Sequence, residues 1–141
     1  MTLNNGLVQN SDKGHVYSYN NSNRVVKVET DYDTTTAIWD GDKLVSISYD
    51  GHDNTLTYKE SCKKGYFPFT TSLIEDNYDA ILVAHPELVG TRTNQLPASR
   101  TWEDENETAT FSYEFDKDGY ISKIKAKSPD GSTQIYTLTW Q

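Results

Sequence analysis

The chain has a single cysteine, Cys62, among 141 residues, which excludes an intrachain disulfide and any cysteine-based metal cluster. No stretch approaches the ~18 apolar residues that a membrane-spanning helix requires. Positive charge is scarce: 13 Lys and Arg stand against 21 Asp and Glu, a net charge of −8. That argues against a nucleic-acid partner, because phosphate binding rests on Lys and Arg, and against an anionic membrane surface. The first residues, from Met1 to Leu7, lack the basic start and apolar run of a signal peptide. They leave two locations open: the cytoplasm, or an exported chain whose leader is gone. Hydrophobic residues are also few, at 35%. Aromatic residues are not: they make up 12%, and ten residues are Tyr. Disordered chains are poor in such rings, so we expect one folded domain over residues 1–141, with a core built on Tyr and Trp bodies.

Period-two alternation dominates the pattern and marks half-buried strands. Val45, Ile47 and Tyr49 alternate with Ser46 and Ser48. Val26 and Val28 share a phase, as do Ala109, Phe111, Tyr113 and Phe115. Tyr136, Leu138 and Trp140 alternate with Thr137 and Thr139. Turn residues separate these runs at Asp40-Gly41-Asp42, at Asp116 to Gly119 and at Pro129-Asp130-Gly131. Strands joined by such short turns pair antiparallel. Residues 17–28 also align without gaps on residues 113–124, and a shortened third copy runs from Trp39 to Ile47. Each copy is an aromatic strand, an Asp or Asn turn and a strand ending in an aliphatic residue.

One segment departs from this pattern. Ser72 and Glu75 carry the spacing of a capping box. Ile74, Tyr78, Ile81 and Leu82 follow at helical spacing, and Pro86 stops the run. One helix is expected near 73–84, as an insertion at 72–85, with loops at 60–71 and 85–106 and a short strand at 98–102. The fold class expected is mainly β: an antiparallel meander of eight to nine strands, forming a strongly curved sheet or partial barrel.

This layout resembles YD-type hairpin repeats. It is more closely similar to a Bacteroidales family of exported domains of unknown function described with a porin-like fold. The resemblance rests on the front hairpins, the mid-chain helix, the Asn94-Gln95-Leu96-Pro97 approach and the meander from Phe111 to Ile124. It covers the chain from about residue 15 onward. It implies a location in the cell envelope or secreted space, often as a lipoprotein, and carries no catalytic residues with it.

Few residues point to chemistry. His15, His52 and His85 lie far apart and lack ligand spacing, so no metal site is expected. Cys62 has Lys63 and Lys64 beside it but no local base. The Asp-Gly turns lack the remaining ligands of a calcium loop. The run from Glu103 to Glu107 reads as a solvated loop. Asp50, Asp53, Asp76 and Asp79 offer carboxylates, and facing pairs of these would suit a glycan hydrolase. Aromatic side chains are the stronger lead, because rings line sites for sugars and apolar ligands. Trp102, Trp39, Tyr66 and Phe67 are the candidate ligand-binding residues. The expectation is a non-enzymatic envelope or secreted module, without a cofactor, that binds a glycan, a lipid-like molecule or an envelope protein. The alternatives are a structural domain of a surface complex and, less favoured, a glycan-acting hydrolase.

Overall fold

A computed structural model describes residues 1–74 and 80–140. One antiparallel sheet holds eleven strands in sequence order: β1 (Thr2–Asn4), β2 (Leu7–Asn10), β3 (Val16–Tyr19), β4 (Val25–Glu29), β5 (Thr34–Asp40), β6 (Lys43–Tyr49), β7 (His52–Ser61), β8 (Gln95–Trp102), β9 (Glu107–Phe115), β10 (Ile121–Lys127) and β11 (Thr133–Thr137). It is an open meander, with β1 and β11 at its two edges. The strand count exceeds the eight to nine expected. The N-terminal hairpin is too short to show alternation. β8 begins at Gln95, inside a stretch that reads as loop, because Pro97 masks it.

The alternation is interrupted by a device that recurs where β1, β3, β5, β7 and β9 each pair with the strand that follows, whereas β4 with β5, β6 with β7, β8 with β9 and β10 with β11 pair in regular register. The second strand of each such pair carries one extra residue: Gln9 in β2, Val26 in β4, Val45 in β6, Ala98 in β8 and Ser122 in β10. Such a bulge moves the face by one residue. Two aliphatic residues three apart then reach the same core. Val25 with Val28, Leu44 with Ile47 and Ile121 with Ile124 are all buried. The expected phase of Val26 with Val28, and of Val45 with Ile47 and Tyr49, is therefore replaced on the core side. Pro97 is accommodated within an inner strand for the same reason, since bulges tolerate the missing donor.

Each of these five bulges is closed by an aromatic side chain from the next strand or segment. The residue before the extra one leaves its carbonyl to a ring donor. Tyr19 Oη donates to Val8 O (2.5 Å), Trp39 Nε1 to Val25 O (2.8 Å) and Tyr58 Oη to Leu44 O (2.7 Å). Tyr113 Oη donates to Pro97 O (2.5 Å) and Trp140 Nε1 to Ile121 O (2.7 Å). Half-buried rings thus satisfy carbonyls that the ladder abandons, which is why the chain uses Tyr and Trp where Leu would leave a polar group unpaired.

The connection at 62–94 fills the inner face of the sheet. It holds α1 (Thr70–Ile74), α2 (Ala80–Ala84) and a 3-10 turn (Pro86–Val89). The helix starts earlier than expected. Ser72 lies inside α1, where its hydroxyl donates to Phe69 O, so it is not the cap. Glu75, Tyr78 and the rest of 75–79 lie outside the described residues. Phe67, Ile74, Leu82 and Val89 are buried with the sheet's aliphatics, whereas Ile81 is exposed. α1 lies against β5 and β6, and the 3-10 turn against β2. Phe67 and Phe69 meet rings of β9 and β11. Nine gaps of ~4.8 Å separate β2 from β11 in a flat sheet, about 43 Å in all. A single connection touches both because the sheet curls around it. No helix among the described residues is long and apolar enough to cross a membrane.

Candidate functional site: an aromatic cleft

Two extended stretches start the site. Cys62 N bonds Asn94 O and Phe67 N bonds Thr93 O, so the chain leaving β7 lies beside the chain entering β8. Phe67 and Thr93 face inward and are buried. Their neighbours Tyr66 and Arg92 are left at the surface, Tyr66 half-buried and Arg92 exposed. Arg92 Cζ lies 4.9 Å from the centre of the Tyr66 ring, a cation–π stack.

The turn between β9 and β10 supplies the next side chain. Asp116 closes it by accepting from the amides of Asp118 and Tyr120, and Lys64 N bonds Gly119 O, which ties the turn to the connection. Tyr120 follows. Beyond β11, Leu138 N continues the pairing onto Ser122 O, and the indole bond to Ile121 O fixes Trp140. Trp140 meets Tyr66 edge to face at 5.3 Å and lies tilted against Tyr120 at 5.5 Å. Gly65 permits this closeness. Its φ is +81°, and a Cβ there would stand 3.1 Å from both Trp140 and Tyr120.

Together these groups line a cleft of about 730 Å³, bounded by Gly65, Tyr66, Pro68, Val83, Ala84, Arg92, Tyr120, Leu138, Thr139 and Trp140. Other clefts among the described residues include ones of about 240 to 340 Å³. Among the described residues, the lining of the aromatic cleft includes one cation and no carboxylate. Half-buried rings with a guanidinium at the rim suit a ligand that has an apolar face and polar edges.

The four candidates from the sequence are not gathered in one place. Tyr66 lines the cleft. Phe67, its neighbour, is 1% exposed and packs on Phe69, Phe111 and Tyr113 in the core. Trp39 is half-buried, closes the β4 bulge and has Arg24 over its ring at 5.0 Å. Trp102 ends β8, with Arg100 stacked on it at 4.8 Å. An eight-residue strand is about 25 Å long, so Trp102 lies at the far end of β8 from Arg92. Tyr120, Trp140 and Arg92 complete the cleft, and no spacing in the sequence links them.

Other chemistry-bearing residues stay apart. His52 pairs with Asp104 on exposed hairpin ends. That hydrogen bond and the charge of Asp104 raise its pKa, with Asp50 and Asp53 adding to the effect. Cys62 is buried, and burial pushes its thiol up, away from thiolate chemistry. Asp76 and Asp79 lie outside the described residues. Among the described residues, no three His, Cys, Asp or Glu side chains gather as a metal site.

No protein-family model and no curated protein matches the chain. Among solved structures it is similar to a porin-like protein from Bacteroides uniformis ATCC 8492, determined at 2.32 Å, with a TM-score of 0.64 and 22% identity. The match covers 96% of this chain and 66% of that one. The chain therefore shares its fold with a porin-like protein of that organism.

Proposed function

We propose that this chain is a non-enzymatic binding module of the cell envelope or secreted space, and that it holds a glycan in the aromatic cleft. The observation that carries this reading is the convergence of Tyr66, Tyr120 and Trp140 on one open cleft of about 730 Å³. Rings at the surface of a chain otherwise rich in Thr, Ser and Asp are suited to the CH face of a pyranose, and sugar hydroxyls there stay in contact with water. The envelope location draws on the porin-like neighbour and on the sequence resemblance to exported Bacteroidales domains. Among the described residues the cleft lining holds no carboxylate pair, which supports binding over hydrolysis at this place.

A second reading, an assembly domain of a surface complex, is favoured by the filled interior. Phe67, Leu73, Ile74, Leu82 and Val89 occupy the inner face where an open barrel would have a lumen.

A thermal-shift panel of host and microbial glycans, fatty acids and bile acids separates the two. A ligand that binds the native state raises the melting temperature. We expect a glycan to do so, and expect Tyr66→Ala to remove the shift. A panel without any shift at millimolar concentration would overturn the binding reading and leave the assembly domain.

A further inference from the structure

We propose that the aromatic cleft selects a sugar carrying a carboxylate, a hexuronic acid residue, and that Arg92 binds its charge. The inference rests on the glycan reading of the same cleft and adds the ligand class.

The charge distribution is the first observation. The chain carries −8, yet among the described residues the lining of this cleft includes Arg92 and no acid. Lys64 adds a second cation beside it, with Nζ 5.9 Å from the Tyr120 ring centre. The second observation is the state of the three arginines. Arg24 pairs with Asp42 at 2.9 Å and donates to the carbonyls of Gly90 and Arg92. Arg100 donates to Asn54 Oδ1 and Tyr49 Oη. The Arg92 guanidinium has no hydrogen-bond acceptor and no carboxylate within 4.0 Å among the described residues. Among the described residues, Glu87 is an acid that feels its charge, and it is bonded to His85 at 3.2 Å.

Geometry joins the two. Arg92 lies over the Tyr66 ring, so one face of its guanidinium is covered, and its N–H edge meets no acceptor among the described residues. A planar fork of that kind matches a carboxylate through two parallel hydrogen bonds. In a uronic acid the carboxylate projects from the edge of the pyranose. A pyranose lying on the aromatic rings therefore directs the carboxylate to the rim, where Arg92 and Lys64 stand. A steroid acid has the same charge on a ring body, but its large apolar surface needs an enclosing pocket, and these rings are half-exposed.

Isothermal titration with tetragalacturonate, its full methyl ester and cholate tests the proposal. The ester keeps the sugar and removes the charge. We expect wild type to bind the acid at least about tenfold tighter than the ester, with the difference shrinking as salt is added. Arg92→Gln is expected to abolish the difference while leaving ester binding in place, and Arg92→Lys to retain part of it. Equal binding of acid and ester would overturn the charge selection and leave the glycan cleft standing. Binding of cholate alone would overturn the sugar. An acid preference unchanged in Arg92→Gln would overturn the role of Arg92. No binding of either sugar by wild type, while a neutral glycan still binds and Tyr66→Ala removes it, would overturn this inference alone. Loss of all glycan binding would remove the reading beneath it as well.

Discussion

Single side chains in this molecule carry two duties at once, packing and bonding. Trp39 covers the core with its ring and satisfies Val25 O with its indole nitrogen. Trp39→Phe keeps most of the ring and orphans that carbonyl, so we expect a loss of about 1–2 kcal/mol in urea unfolding without a change in slope. Trp102→Phe removes an indole nitrogen with no bonded partner among the described residues and is expected to cost less. The tyrosines of the same device make the fold sensitive to alkali. Burial raises the Tyr58 and Tyr113 phenols well above their ordinary value near 10. A raised folded pKa means that this stability is whole below the unfolded value and is lost as pH climbs above it. Stability should therefore fall from about pH 10 upward, and Tyr58→Phe should flatten that decline in a denaturation series read against pH. Glycine acts at the same scale. Gly90 has φ +64°, and a Cβ there would overlap the Asn23 backbone oxygen. Gly131 has φ +89° with open space around it. Gly90→Ala should cost clearly more than Gly131→Ala, which pays only the backbone strain of about 1–2 kcal/mol.

Hairpins are the level at which the sequence was most readable. The aromatic strand, the Asp or Asn turn and the Lys-containing return strand repeat in residues 17–28 and 113–124 because both hairpins have the same bulge. Simple alternation could not reveal that bulge. It groups Val26 with Val28, whereas the extra residue puts Val25 and Val28 in the core. The aligned repeat did contain the clue, since Val25, Leu44 and Ile121 each stand three residues before a second buried aliphatic. The two phases make opposite statements about stability. Val25→Ala should lose about 2 kcal/mol through burial and cavity effects, and Val26→Ala less than about 1 kcal/mol. Equal or reversed losses would show that the register drawn here is wrong. The helical segment was readable only in part. Ile74 and Leu82 do reach the core, but α1 begins at Thr70, since tertiary contacts with β5 and β6 outweigh the local capping signal.

Across the whole molecule, the curl of the sheet around the connection at 62–94 creates the aromatic cleft. The cleft takes Tyr66 and Arg92 from that connection, Tyr120 from a turn and Trp140 from beyond β11. Aromatic content directed attention to the rings, and Tyr66, one of the four candidates, lines the cleft. Its partners were not legible, because they lie 26 to 74 positions away in sequence and meet only through the fold. The same distance explains why Phe67, adjacent to Tyr66, has the opposite fate: alternation turns it into the core. The three indoles now occupy three distinct places, namely the cleft (Trp140), the β4 bulge (Trp39) and the end of β8 (Trp102). That separation supplies the most direct test of the glycan cleft. Glycans that raise the melting temperature should be titrated into ¹⁵N-labelled protein while the three indole N–H resonances are followed. We expect the Trp140 resonance to move in a saturable way, with those of Trp39 and Trp102 unmoved. A saturable shift at Trp102 with Trp140 still would place binding at the opposite end of the sheet and contradict the account.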